Sequence, residues 1–167
     1  MTGFTHQLVD LLPRLRRFAR ALTRSDADAD DLSQAAIERA LMHAASWQPG
    51  TRLDSWLFRI AQNLWRDELR AHRRRAEPLE EGEHIGEDGR VSFQRQLEVR
   101  DVSRAFDDLP EDQRVVMALV VLEGMQYGEA AHTLGLPVGT VMSRLARARS
   151  RLAALVSGES RRLRAAK

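Results

Sequence analysis

The sequence predicts an all-α protein made of two small helical domains joined by a flexible acidic linker. Apolar residues recur every three or four positions along most of the chain, and no alternating strand pattern interrupts them. Residues 77–89 hold six acidic residues, three glycines and one proline but no lysine or arginine, a composition typical of linkers. We therefore expect a domain over residues 1–76, a linker over 77–94, a second domain over 95–160 and a basic tail over 161–167.

Composition excludes several classes of function. The formal net charge is only +2, so attraction to nucleic acid must come from local clusters of basic residues. The chain has no cysteine and its five histidines lack ligand spacing, so we expect no metal site and no cofactor. No paired acid and base, nucleophile elbow or phosphate-cradling glycine loop is found, which argues against an enzyme. No secretory segment and no apolar run of about 18 residues is found, which predicts a cytoplasmic protein without membrane insertion.

Three helices are expected in the first domain. Pro13 indicates that the first regular helix begins near that residue or is kinked there. The second should begin at a capping Ser25 or Asp26, followed by an acidic first turn that suits the helix dipole. A loop with a Pro-Gly pair, residues 46–52, precedes the third. The expected buried stripes are Leu8, Leu11, Leu12, Leu15, Phe18, Ala19 and Leu22; Leu32, Ala36, Ile37, Ala40, Leu41 and Ala44; and Leu53, Trp56, Leu57, Ile60, Ala61 and Leu64.

The second domain ends in a pattern with the mechanics of a helix-turn-helix. Before it, Val99, Val102, Phe106 and Leu109 indicate one helix, and a second follows Pro110 and ends at Gly124. In "YGEAAHTLGLPVGTVMSRL" a small residue stands where two helices approach closely, a glycine permits the turn, and two apolar residues anchor the second helix. These residues are Ala131, Gly135, Val141 and Leu145.

Two helices carry basic stripes beside their apolar ones. On a helix of about 3.6 residues per turn, polar residues of the last helix gather opposite its packing side: Thr140, Ser143, Arg144, Arg147 and Arg151. The long helix of the first domain carries Arg59, Asn63, Arg66 and Arg70 at steps of three and four. Arginine suits phosphate and guanine edges, although such stripes are also common as solvated surface. The helix-turn-helix pattern favours DNA binding.

Two long segments resemble the extracytoplasmic-function sigma factors of bacterial RNA polymerase. "LPEDQRVVMALVVLEGMQYGEAAHTLGLPVGTVMSRLARARSRL" is similar to their fourth conserved region, and "ADADDLSQAAIERALMHAASWQPGTRLDSWLFRIAQNLWRDELRAHRRR" to their second. The resemblance implies a sigma factor that directs core polymerase to promoters in a stress or envelope response, restrained by an anti-sigma factor. It further implies contacts with the clamp helices of the beta-prime subunit and with the beta flap.

The resemblance also assigns residues in the first domain. Asp30, Asp31 and Gln34 would dock on core polymerase, although Asp30 could equally serve the cap or dipole of its helix. The −10 element would contact Trp47, Gln48, Arg59, Asn63 and Arg66. Trp47 could stack on a flipped base of that element, or it could instead close the core.

In the second domain, the resemblance puts the last helix in the major groove of the −35 element. Ser143, Arg144, Arg147 and Arg151 would reach bases or phosphates, and Thr140 the backbone near the helix start. The alternatives are a two-domain activator, which would need a sensory domain that residues 1–75 lack, and a sigma-like decoy that binds an anti-sigma protein without reading DNA. A decoy should have lost its basic face, which this chain keeps.

Overall fold

The computed structural model describes the backbone of residues 2–75 and 102–165. Within those ranges the regular structure is entirely helical, which confirms the all-α prediction. None of the helices there is long and apolar enough to cross a membrane. The predicted acidic linker over residues 77–94 and the end of the tail lie outside the described residues.

Three helices form the first domain: α1 (Thr2–Thr23), α2 (Asp26–Met42) and α3 (Leu53–Arg75). The Ser25 hydroxyl accepts the backbone N–H of Asp28 at 3.3 Å, so Ser25 is the cap and Asp26 is the first helical residue. At the centre of the bundle the rings of Phe18 and Phe58 lie 5.0 Å apart. A short 3₁₀ turn, Ala44–Ser46, leads into the loop before α3.

Pro13 neither starts α1 nor ends it, contrary to one prediction. The helix runs from Thr2 through Pro13 to Thr23. The turns before the proline are held by packing, since Leu8 is fully buried and Phe4 stacks against two tryptophans. Tertiary contacts of this kind offset the helical hydrogen bond that proline cannot make.

Several residues of the expected stripes are exposed. Leu12 and Leu41 retain 37% and 45% of their accessible surface, and Val102 is exposed to a similar degree. In α1 and α2 these leucines lie at the edge of the buried face, where a neighbouring helix no longer covers it. Ile37, Ala44, Trp56, Ile60 and Leu64 are half-buried rather than fully buried.

The second domain contains a helix over residues 102–107 (α4), then α5 (Glu111–Met117), α6 (Tyr127–Leu134) and α7 (Val138–Ala165). α5 continues into a π-helical segment, Ala118–Leu122, in which the Glu123 N–H donates to the Ala118 carbonyl at 3.0 Å. Gly124 follows at φ +66°, a left-handed conformation that glycine adopts without strain. The predicted end of this helix at Gly124 is confirmed.

The two domains pack against each other, an arrangement that the linker composition did not predict. α1 contacts α5 and the π-helical segment, and α3 contacts α6. We call this surface the interdomain interface. Buried apolar residues of both domains form a single cluster. Polar groups meet across it as well, because the hydroxyls of Ser55 on α3 and Thr133 on α6 are hydrogen-bonded at 2.5 Å.

A buried arginine fastens the α1 side of this interface. Arg114 of α5 is 3% exposed, and its guanidinium donates to the carbonyls of Ala21, Leu22 (3.3 Å) and Leu109 (2.6 Å). Ala21 and Leu22 belong to the last turn of α1, whose carbonyls lack helical partners. Burial, and secondarily the charge of Arg24, lowers the pKa of Arg114 from its ordinary value. Arg114 therefore caps a helix of the other domain.

Candidate nucleic-acid and polymerase interfaces

The helix-turn-helix has the geometry that its residues predict. Gly135 ends α6 at φ +65°, and its N–H donates back to α6 carbonyls, which is a left-handed helix cap. Ala131 is buried on α6, and Val141 and Leu145 are buried on α7. These contacts hold α7 by one side and leave the other side open.

The opposite face of α7 carries the polar residues predicted for the −35 element. Ser143, Arg147 and Arg151 are exposed. The Ser143 hydroxyl donates to the Thr140 carbonyl at 3.1 Å, and Arg147 Nε donates to the Ser143 carbonyl at 3.3 Å. These local bonds keep the side chains along the helix while their remaining donors face solvent.

Two members of this set are half-buried. Thr140 lies in the first turn of α7, and Arg144 reaches across to α5. Arg144 Nε lies 3.3 Å from an Asp112 carboxylate oxygen. Arg144 also lines a cleft that residues of α3 such as Arg66 and Arg70 line from the first domain. The predicted −35 residues thus divide into three exposed residues and two half-buried ones, of which Arg144 lies at the domain boundary.

On α3 the predicted −10 residues share one exposed stripe. Arg59, Asn63 and Arg66 are exposed at steps of four and three, whereas Gln62 beside them is buried. Within the described residues none of the three pairs with an acidic side chain closer than 4.0 Å. Such arginines are free to bind phosphate.

Trp47 and Gln48 lie in the loop before α3. The Trp47 ring is half-buried and stacks against Phe4 of α1, with centroids 5.4 Å apart. Its Nε1 is buried without a hydrogen-bond partner. Gln48 is exposed, and its carbonyl accepts the Thr51 hydroxyl at 2.7 Å. Packing against Phe4 is the core-closing role that the sequence left open for Trp47, while stacking on a flipped base stays a prediction.

A cleft of about 490 Å³ separates this loop from the second domain. Trp47, Gln48 and Arg59 line it from the first domain, and Gly128, Glu129 and His132 of α6 line it from the second. The loop predicted to contact the −10 element therefore faces the first helix of the helix-turn-helix.

The residues predicted to dock on polymerase lie on the outer face of α2. Asp30, Asp31 and Gln34 are all exposed. Asp30 forms an ion pair with Arg16 of α1 at 2.6 Å, and Gln34 donates to Glu38 one turn later at 3.0 Å. Ser25 caps α2, and Asp30 lies beyond the first turn, so the capping alternative for Asp30 is not supported.

Sequence reasoning missed the charged residues of the interdomain interface. Arg52 forms a two-pronged pair with Asp54, at 2.7 and 3.0 Å, and also contacts Glu129 of α6. Glu123 at the end of the π-helical segment has a side chain only 1% exposed, paired with Arg14 at 2.7 Å and Arg17 at 3.1 Å. The sequence offered one sign of this contact, since the spacing of Arg14 and Arg17 puts both on one face of α1.

These pairs shift the acids toward ionisation. Burial alone would raise the pKa of Asp54, but hydrogen bonds from Arg52 and the Ser55 N–H bring that pKa below its ordinary value. The Gln126 N–H, at 2.8 Å, and Arg52 lower the pKa of Glu129. The same two carboxylates raise the pKa of Arg52.

Each domain matches a protein-family model. Residues 8–62 match the family described as the Sigma2 domain of PhyR, and residues 100–152 match Sigma-70, region 4. The chain is 40% identical over 145 residues to the ECF RNA polymerase sigma factor EcfG of Rhodopseudomonas palustris, covering 87% of this chain and 80% of that protein.

Two solved structures share the fold over 94% of this chain. The sigma factor RpoE of Bartonella quintana, in complex with the anti-sigma factor NepR, is 30% identical with a TM-score of 0.76, covering 94% of this chain and 98% of that one. CnrH, in complex with the cytosolic domain of CnrY, is 27% identical with a TM-score of 0.69, covering 94% and 89%. Together with the relative above, they show that this chain is a sigma factor of the extracytoplasmic-function (ECF) family.

Proposed function

We propose that this sigma factor reads the −35 element with the exposed face of α7. The observation that carries this proposal is the contrast between the buried Val141 and Leu145 and the exposed Ser143, Arg147 and Arg151 on one helix after a glycine turn. A helix held by one side and open on the other fits the major groove, where arginine pairs with guanine edges. Thr140 and the first-turn amides of α7 then contact phosphate.

The −10 element is bound by the first domain. Arg59, Asn63 and Arg66 form an exposed stripe on α3, and the loop with Trp47 and Gln48 lies at the start of the same helix. Arginines bind the strand backbone without reading sequence, so base preference here comes from the loop. A base extracted from the duplex costs a few kcal/mol of unstacking, which loop contacts must offset.

Core polymerase binds the outer face of α2. Asp31 and Gln34 are exposed there, so this surface is available while the two domains are packed together. The clamp helices of the beta-prime subunit are the partner that family membership suggests, and the beta flap is the corresponding partner of the second domain. The protein acts in the cytoplasm, where the polymerase is found.

An anti-sigma factor restrains the protein. One structural neighbour above is the sigma factor RpoE in complex with the anti-sigma factor NepR, and the other is CnrH in complex with the cytosolic domain of CnrY. Both share the architecture of this chain. The decoy alternative is not favoured, because the second domain belongs to Sigma-70 region 4 and the polar face of α7 is exposed.

Reconstituted transcription tests this function. Core polymerase with and without the protein is supplied with fragments of the source genome, and transcript starts are mapped. We expect a small set of starts that depend on the protein and share elements near −35 and −10. Tight binding to core polymerase without any protein-dependent start would contradict promoter recognition.

A further inference from the structure

A cleft of about 490 Å³ between α3 and the second domain holds a cluster of arginines, and we call it the arginine cleft. Its walls carry Arg66, Arg70 and Arg73 from α3 and Arg144 from α7. Within the described residues Arg66 and Arg73 have no carboxylate partner, and Arg70 has an exposed pair with Asp67 at 3.5 Å. Guanidinium groups in this state bind phosphate, which arginine can hold through two parallel hydrogen bonds.

Two carboxylates line the arginine cleft as well. Asp112 lies 3.3 Å from Arg144 Nε, and Glu111 precedes it in the first turn of α5. Four arginines against two carboxylates leave two positive charges in excess among the lining residues. The cleft therefore attracts anions, while its carboxylates can accept hydrogen bonds from hydroxyl groups such as those of a ribose.

The amide of Gln62 is the feature of this cleft that most directly calls for a ligand. Gln62 is only 6% exposed and lines the cleft, yet its side chain makes no hydrogen bond with any residue that the structure describes. Burying an amide without a partner costs free energy. Water or a ligand in the cleft therefore has to supply the missing donor and acceptor.

The rest of the wall is apolar. Leu69, Val115 and Leu134 line it from both domains. Sites for small molecules combine such walls with a few polar groups in a volume of roughly 300–1,000 Å³. Along α3 the cleft extends from Gln62 to Arg73, a distance of about 16 Å at 1.5 Å per residue. Its shape and chemistry suit an elongated molecule with a planar polar part and a charged part.

We propose that the arginine cleft is a binding site for a purine nucleoside polyphosphate. The α3 arginines hold the phosphates, and Glu111 accepts hydrogen bonds from the ribose. The amide of Gln62 pairs with an edge of the base, as glutamine amides do with adenine. Both domains are needed for the site, since α3 supplies the arginines for phosphate and α5 the carboxylates.

Titration calorimetry on the full chain tests the site with defined probes. ATP and GTP, both without Mg²⁺, are compared with inorganic tripolyphosphate. We expect one nucleotide per chain, bound about tenfold more tightly than tripolyphosphate because the base and ribose add hydrogen bonds. Tripolyphosphate carries at least as much negative charge, so equal or tighter binding of tripolyphosphate would reduce the cleft to diffuse charge. That result, or no saturable binding of either nucleotide, would overturn the inference.

A double variant tests the phosphate contacts. Arg66 and Arg144 are also predicted to contact DNA, so R70Q/R73Q replaces two cleft arginines that are assigned to neither promoter element. We expect nucleotide affinity to fall by about tenfold to a hundredfold. R104Q/R149Q removes the same charge at exposed positions of α4 and α7 outside the cleft and is the matched control. Equal losses in the two double variants would contradict a defined site, whatever the outcome of the transcription assay.

The variant Q62L tests the base contact. It replaces a buried amide that has no partner by an apolar side chain, so we expect the thermal unfolding midpoint to stay the same or rise. Affinity for nucleotide should fall by about tenfold, while affinity for tripolyphosphate should not change. Nucleotide affinities equal to those of the native chain would show that Gln62 does not contact the base and would overturn the inference.

A short DNA strand covers the other source of clustered phosphates. A strand of three thymidine nucleotides is titrated into the native chain and into R70Q/R73Q. We expect it to bind more weakly than ATP or GTP, because its phosphates are spread along the strand and it has no purine to pair with Gln62. A strand that binds more tightly than both nucleotides, and that loses affinity in R70Q/R73Q, would make the cleft part of the nucleic-acid surface instead.

Discussion

Arginines at the interdomain interface and arginines on the predicted DNA surfaces occupy opposite environments. Arg114 is buried and its donors are taken by carbonyls of α1 and of its own domain. Arg147 on α7 is exposed, and its Nε donates to one backbone carbonyl of its own helix. Almost all basic residues of the chain are arginine, so residue type alone does not separate these roles. The partner that satisfies the guanidinium decides whether an arginine stabilises the fold or binds phosphate.

The largest effect on stability should come from Arg114. In R114M the carbonyls of Ala21 and Leu22 lose their donor within the buried interface, and unsatisfied buried groups are costly. We expect the free energy of unfolding to fall by about 2–4 kcal/mol, measured by urea denaturation. R104M, at an exposed arginine of α4, is the control. If R114M lost no more free energy of unfolding than R104M, Arg114 would not stabilise the interface.

Arg147 should behave in the opposite way. We expect R147A to weaken recognition of a cognate promoter by roughly 1–3 kcal/mol of binding free energy if the arginine contacts a base. The urea midpoint should be unchanged. Transcription in the reconstituted system measures the effect. R149A is the control because Arg149 is exposed on the same helix but lies on the side opposite to Arg147. Equal losses in the two variants would mean that α7 acts only through diffuse charge.

Asp54 makes the interface sensitive to pH. Its pKa is lower in the folded protein than its ordinary value, so the ionised carboxylate stabilises the fold above about pH 4 and this contribution is lost as pH falls through the folded-state pKa. We expect the stability difference between the native chain and D54N to shrink as pH falls from about 6 to 3. Urea denaturation over that range measures it, with D10N on the exposed side of α1 as control. A difference that is constant with pH would contradict the assignment.

The smallest effect on stability should come from Asp30. Its pair with Arg16 is half exposed on both sides, and exposed ion pairs contribute about 0–1 kcal/mol. We expect D30N to change the free energy of unfolding by less than about 1 kcal/mol.

Affinity for core polymerase should fall in D31N, whose carboxylate has the docking role proposed above. Core binding unchanged in D31N would place the docking surface elsewhere.

Local patterns predicted the elements of this fold. The spacing of Ala131, Gly135, Val141 and Leu145 predicted the helix-turn-helix because its turn and packing depend on nearby residues. The Gly124 helix end followed from the same kind of signal. The prediction that a regular helix begins near Pro13 was wrong, because distant packing outweighs a local preference at that position. The alternative of a kink at Pro13 stays a prediction.

Contacts between the domains could not be predicted in the same way. Arg14 and Glu123 are 109 positions apart, and neither carries a local signal for the other. An acidic linker permits the domains to approach but does not specify which faces meet. The faces are set by complementary charge and shape, which become visible only when both domains are folded.

The π-helical segment sets the position of Glu123 relative to α5. A π turn accommodates one residue more than an α turn of the same rise, so Ala118–Leu122 amounts to a one-residue insertion immediately before Glu123. Deleting one of these residues would let the segment wind as a regular α-helix with Glu123 still one turn above Ala118 and near Arg14 and Arg17, whereas a deletion within a regular α-helix would rotate the following residues by about 100°. This gives two distinct junctions for exchanging part of the second domain between relatives. A junction after Gly124 keeps the π-helical segment and Glu123 of the recipient protein, whereas a junction before Ala118 replaces both with those of the donor protein.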